Sequence, residues 1–325
     1  MGRKRFAAWL RQRPVVAFYL LCFAFSWGLW LAYFALRWQI LEILAVLGLF
    51  GPALACVWTA HLTSSGQQTG RRWRWWLAFF VAWAAATAIL AWYNRTTAPG
   101  VSLVAVVVYA VLAAPPAYVL ASAFSTVPGV RQTLSSLVRP TGRWLWYLLA
   151  LSLPPIIRLF SAWLSRQAGW SLLSYPQPAP DALQLAGSIT GVFLYTVLYA
   201  GGLNEETGWT GFALPRLQSR YSPLVASVIV WFFWILWHVP VHLAGMYDLN
   251  LHVLVGTFFG RFIFTWLYNR SLGGLLTAIL FHASVNVASQ FIPLTNFQLL
   301  VEAVLAVALI AGERMWQRLP ERGMG

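Results

Sequence analysis

Apolar residues along this chain do not alternate with polar ones. They run in stretches of about 20, the length of a helix that crosses a bilayer core, separated by short clusters rich in Arg, Gly and Pro. Ten stretches can be read: 15–36, 40–62, 73–93, 101–124, 144–164, 187–214, 222–243, 250–268, 272–292 and 296–311. The pattern predicts an all-α fold, a polytopic transmembrane helical bundle of about ten spans, because backbone in contact with lipid must satisfy its own hydrogen bonds. The sixth stretch departs from the rest. Its second half, LYAGGLNEETGWTGFALPRLQ, is polar and rich in glycine.

Basic residues orient the bundle. With the first residues inside the cell, Arg71, Arg72, Arg74, Arg131, Arg139, Arg143, Arg216, Arg220 and Arg270 fall in cytoplasmic loops or at their edges. The tails add Arg3, Lys4, Arg5, Arg11, Arg13, Arg314, Arg318 and Arg322 to the same side, whereas Arg37, Arg95 and Arg166 fall outside. Arg158 and Arg261 lie within spans. This asymmetry follows the positive-inside rule and makes both termini cytoplasmic. The basic N-terminus looks like the start of a signal peptide, but the run 15–36 is too long for a cleaved one. A retained first span and a multi-pass plasma-membrane protein are the expectation.

Composition agrees. The chain is 60% hydrophobic and 9% charged, against about 25% charged in a soluble domain. The net charge of +14 is explained by the cytoplasmic loops, so no nucleic-acid partner is expected; the lipid bilayer is the surrounding partner. Cys22 and Cys56 sit inside apolar runs, with neither metal-ligand spacing nor a disulfide framework.

Carboxylates are scarce, only eight in 325 residues. Glu42, Asp181, Asp248, Glu302, Glu313 and Glu321 lie mostly in loops, near helix ends or in the tail, whereas Glu205 and Glu206 are adjacent within a span. A charge inside a membrane is costly and marks a functional site by default. Ten residues separate Glu205 from the boundary at Pro215-Arg216, about 15 Å at 1.5 Å per residue. Neighbours on an α-helix point about 100° apart, so one carboxylate faces a cavity while the other anchors a partner. The bland alternative has both solvating the end of a shorter helix.

His238 lies deep in the seventh stretch, on one helical face with Trp234, and Glu205 is an available partner for its imidazole. His242 follows beyond Pro240 and, like His61 and His252, is read as interfacial. In the ninth stretch, His282 and Asn286 are four residues apart and share a face. Two neutral donors side by side suit a developing oxyanion, although a lone packed polar contact is the commoner use of such a histidine. Arg261 is within range to supply a countercharge to Glu206.

At these residues the chain resembles the CAAX prenyl protease and bacteriocin-processing (CPBP) family of intramembrane endopeptidases, the abortive-infection domain group related to the Ras-converting CAAX prenyl endopeptidase. The family pattern EExxxR, FxxxH, HxxxN falls on Glu205-Glu206 through Thr210, Trp234 to His238, and His282 to Asn286. Thr210 stands where the motif has arginine, and Trp234 replaces phenylalanine as an apolar substitute. The resemblance divides the chain into N-terminal transmembrane helices (1–182), a catalytic core (183–292), and a last helix with a cytoplasmic tail (293–325).

The resemblance implies cleavage of a membrane-associated peptide or protein substrate. Glu205 would act as general base on water with His238 as its partner, Glu206 would complete the pair, and His282 with Asn286 would donate to the oxyanion. No cofactor is expected. The alternative is a zinc ion held by Glu205, His238 and His282 with one open position, although no HExxH helix is present. Two other readings remain. Thr210 favours a non-catalytic family member acting in bacteriocin immunity or as a membrane binding or scaffold protein. A proton-coupled transporter using the Glu/His set lacks the internal repeat such folds carry.

Overall fold

A computed structural model describes residues 8–9, 11–36, 42–97, 102–173 and 181–320. Arg3, Lys4, Arg5, Arg37, Glu321, Arg322 and the side chain of Arg95 lie outside the described residues. In chain order the main helices are α1 (Pro14–Leu36), α2 (Glu42–Gly48), α3 (Gly51–Thr63), α4 (Arg72–Thr97), α5 (Leu103–Leu112), α6 (Ala114–Ser122) and α7 (Pro128–Leu134). They continue as α8 (Leu145–Gln167), α9 (Ala182–Tyr199), α10 (Leu214–Gln218), α11 (Pro223–Leu243), α12 (Leu251–Arg270), α13 (Leu275–Phe291) and α14 (Asn296–Gly312). Among the described residues there is no strand.

Seven helical stretches are long and apolar enough to cross a bilayer, and the bent pair α2–α3 makes an eighth. The shorter apolar helices α13 and α14 follow the expected ninth and tenth spans. At 17 residues each they reach about 25 Å, a mismatch that local thinning or neighbouring helices absorb. The chain is an all-helical, multi-pass membrane protein. Large apolar side chains on α4, α5 and α8, such as Leu77, Phe80, Val104, Leu159 and Phe160, remain exposed on the isolated chain, as lipid-facing positions do.

Several boundaries differ from the sequence reading, each for a physical reason. The second span is bent by 53° between α2 and α3, where Pro52 lacks the donor that would continue α2. Side chains satisfy the carbonyls freed at this bend: Trp30 Nε1 donates to Ala45 O at 3.0 Å and Ser26 Oγ to Gly48 O at 2.7 Å. The fourth span breaks at Ala113, ahead of Pro115 and Pro116. In α8, Pro155 frees the carbonyl of Leu151, and Ser284 Oγ donates to it at 2.7 Å. The sixth span runs from Ala182 to Gln218 rather than 187–214, because Asp181 caps its start by accepting from Gln184 N at 2.7 Å.

The largest buried cluster gathers Phe18, Tyr19, Trp30, Phe50, Tyr199, Trp209, Phe212 and Trp237. Lipid competes for apolar contact, so burial alone does not drive helices together in a membrane; close packing and polar contacts do. Aromatic edges supply that here. Phe18 meets Trp209 with centroids 5.6 Å apart, and Trp30 meets Trp237 at 4.9 Å; such pairs contribute about 0.5–1.5 kcal/mol each.

The ten-span order has a direct test. Single cysteines introduced at 63–72 and 125–143 should resist a membrane-impermeant maleimide in intact cells and label after permeabilisation. Ready labelling of 125–143 from outside would overturn the orientation.

Candidate active site

The sixth span does not continue as an α-helix. It stops at Tyr199, turns at Gly201 with φ +107°, and resumes as two π-helical turns, Gly202–Glu206 and Trp209–Ala213. Such wide turns inside helices recur at functional sites. The α-helical geometry assumed for Glu205 and Glu206 is therefore corrected. The break leaves backbone groups bare at membrane depth, which is tolerated only where protein satisfies them. Asn204 Oδ1 accepts from Gly201 N at 2.8 Å, while its Nδ2 donates to Leu49 O at 3.1 Å, at the α2–α3 bend. Asn286 Nδ2 donates to Ala200 O at 2.7 Å. Asn204 thus stitches the two broken spans together, and Asn286 ties the ninth span to the break. Close approach is possible because Gly208 lacks a Cβ, which would collide with Pro52.

Glu206 is almost completely buried, at 1% exposure. Its Oε1 accepts from His282 Nδ1 at 2.8 Å. Its Oε2 accepts from the Thr210 hydroxyl and lies 3.4 Å from Arg261 Nη2. Arg261 Nη2 also donates to Thr210 Oγ1 at 2.8 Å. The expected countercharge is present, arriving from α12.

Glu205 is buried beside it, and its Oε2 accepts from Trp234 Nε1 at 2.6 Å. Trp234 is therefore more than an apolar substitute: the indole brings a hydrogen-bond donor that a phenylalanine lacks. The imidazole of His238 packs against Trp234, centroids 4.1 Å apart, and its Nδ1 pairs with Trp234 O at 2.9 Å. A carbonyl can only accept, so Nδ1 carries the hydrogen, and a neutral His238 presents Nε2 as an acceptor. The expected partner of His238 was Glu205; the observed partner of Nδ1 is the Trp234 backbone, with the indole linking the two. Glu205 lies within Coulombic reach of Glu206, His282 and Arg261, and His238 within reach of His282.

The structure thus brings Glu205, Glu206, His238, His282 and Asn286 into one neighbourhood. Among the described residues, no three His, Cys, Asp or Glu side chains gather closely enough to hold a metal ion. His242 belongs elsewhere: its Nδ1 sits 3.0 Å from Tyr247 O and 3.2 Å from Leu249 N, holding the turn after α11. A cavity of about 620 Å³ between residues 63–65, 128–141 and 268–273 is not lined by any of the five.

Sequence reasoning missed Asn204, Gly201 and Tyr247. Tyr247 stacks on His238 with centroids 4.5 Å apart, closing an aromatic box with Trp234 and Trp237. Gly201 holds its place because a Cβ there would enter the imidazole of His282. Only the Gly-Gly pair beside the glutamates signalled a break; nothing in the local pattern marked Tyr247.

Comparison with known proteins points the same way. Residues 187–288 match the family described as type II CAAX prenyl endopeptidase, Rce1-like. CAAX prenyl protease 2 of Methanococcus maripaludis is 32% identical over 120 residues, covering 33% of this chain and 44% of that protein. The chain thus spans under half the length of the curated relative it matches. All three motifs lie inside the matched stretch, so it is through residues 187–288 that the chain is similar to the Rce1-like CAAX prenyl endopeptidases.

Proposed function

We propose that this chain is an intramembrane endopeptidase of the CAAX-processing type, acting on a membrane-associated peptide or protein substrate in the plasma membrane, with 183–292 as its catalytic core. The observation that carries the reading is the pairing of two buried carboxylates with two histidines. Glu205 and His238 meet through Trp234, and Glu206 holds His282.

Glu205 takes a proton from water, with the acceptor Nε2 of His238 as a second hold on that water, as the water oxygen attacks the scissile carbonyl carbon. The carbonyl oxygen becomes an oxyanion, stabilised by donors aimed at it. Asn286 spends one amide hydrogen on Ala200 O and keeps a second to offer. With Nδ1–H committed to Glu206, His282 donates through Nε2 only as an imidazolium, a cation the Glu206 carboxylate supports. This replaces the neutral donor expected from sequence. Collapse of the intermediate breaks the C–N bond, and the proton held by Glu205 passes to the leaving amine.

Thr210 had favoured a non-catalytic scaffold. Arg261 restores the missing charge beside Glu206, so the scaffold reading loses its main support. Purified protein in lipid nanodiscs should cleave a prenylated peptide ending in a Cys-a-a-X sequence, and cleavage should persist in EDTA. Folded protein that cleaves neither prenylated nor unprenylated peptides would favour the scaffold. Loss in EDTA with recovery on zinc would replace the metal-free mechanism.

A further inference from the structure

The family pattern asks for an arginine four residues after the second glutamate, and here that residue is Thr210. We infer that Arg261 supplies this function from the neighbouring helix α12, with Thr210 as its relay, making Arg261 and Thr210 the positioning residues for Glu206 and, through it, His282. The inference rests on the peptidase reading above and names how this chain keeps its second carboxylate in place.

The geometry is continuous. The Thr210 hydroxyl donates its single hydrogen to Glu206 Oε2 and accepts from Arg261 Nη2 at 2.8 Å. A hydroxyl can do both at once, and in a low-dielectric interior each bond polarises the next. Arg261 is itself 6% exposed. Its guanidinium lies over the ring of Phe264 at 4.4 Å, and that ring meets the edge of His282 at 5.6 Å. One residue of α12 therefore sets the charge balance on Glu206, while the next helical turn braces the imidazole Glu206 holds. An arginine at 210 would need the volume that Arg261 now fills, so the two positions are alternatives for one guanidinium. Without either, Glu206 is a buried, uncompensated charge, and the hydrogen that fixes the orientation of His282 loses its acceptor.

The test is a charge-relocation series in nanodiscs, assayed on the prenylated peptide: Arg261→Met, Arg261→Lys, Thr210→Arg, and Thr210→Arg with Arg261→Met. Arg261→Met should lower kcat by about 10- to 100-fold, as loss of an orienting partner does, with little change in KM. Thr210→Arg alone should also lower kcat, because two guanidinium groups then compete for one site. The double variant and Arg261→Lys should recover part of the loss. Full kcat in Arg261→Met would overturn the inference. So would an equal loss in all variants, or failure of all of them to fold, since Arg261 would then be a packing element.

If the wild type cleaves no probe, the peptidase reading falls separately, and the inference is read from imidazole 15N NMR of His282, identified by its absence in His282→Ala. Nδ1 should carry a hydrogen in the wild type in both the neutral and the imidazolium form, lose part of it in Arg261→Met, and regain it in the double variant. An unchanged His282 signal in Arg261→Met would overturn the inference.

Discussion

Glu205→Gln is expected to lower kcat by about 10²- to 10⁴-fold, the usual contribution of a positioned general base, with His238→Ala falling in the same range. Glutamine conserves the volume of Glu205 and still accepts from Trp234 Nε1, which lies 2.6 Å from Glu205 Oε2. The loss should therefore appear in kcat without a matching fall in thermal stability. Residues that act as one unit are not additive, so the double variant should be little worse than the poorer single. Rates on the prenylated peptide, read beside melting curves in the same nanodiscs, decide this. A Glu205→Gln enzyme that cleaves at the wild-type rate would sink the proposed mechanism, whatever happens at Arg261.

Gly201→Ala should be nearly as damaging while removing no charged group. Gly201 has φ +107°, and an added Cβ would enter the imidazole of His282. The backbone strain costs about 1–3 kcal/mol, and displacing His282 by about 1 Å is enough to lose about 10²-fold in rate. Gly169→Ala separates the two effects. That glycine also has positive φ, +69°, but an added Cβ meets nothing within 4 Å, so the variant should lose stability and keep kcat. Equal kcat losses in both variants would mean that strain, not contact with His282, is responsible.

The bundle and its order were legible because the bilayer is a simple solvent. A run such as 223–243 or 251–270 has one way to hide its backbone, and the surplus of arginine in loops such as 71–74 predicts a cytoplasmic face without knowledge of packing. The candidate site residues were legible for the same reason. Glu205, Glu206, His238, His282 and Asn286 stand out in apolar text because each is expensive there. Their motifs lie on three different spans, so sequence named the members and proposed partners across spans without the geometry that decides which atoms meet.

Tertiary structure changed those partners. His238 turned to the backbone of Trp234, Trp234 became a donor to Glu205, and Asn286 spent one hydrogen on Ala200. Each of these depends on where a helix breaks. Proline at 52 and the glycines at 201 and 202 warn of breaks, but they do not say that the two broken spans meet, with Asn204 bridging them.

Sequence by itself thus determined which stretches form membrane-spanning helices and which side chains are costly there, because transfer from water to lipid depends on the residue alone; for the side the loops face it sets an expectation. Only the tertiary structure decided which atoms pair, that Arg261 answers for Thr210, and that Gly201 leaves room for His282. Hydrogen bonds and charge balance act over about 3–4 Å, between residues such as Glu206 and Arg261 that are 55 positions apart.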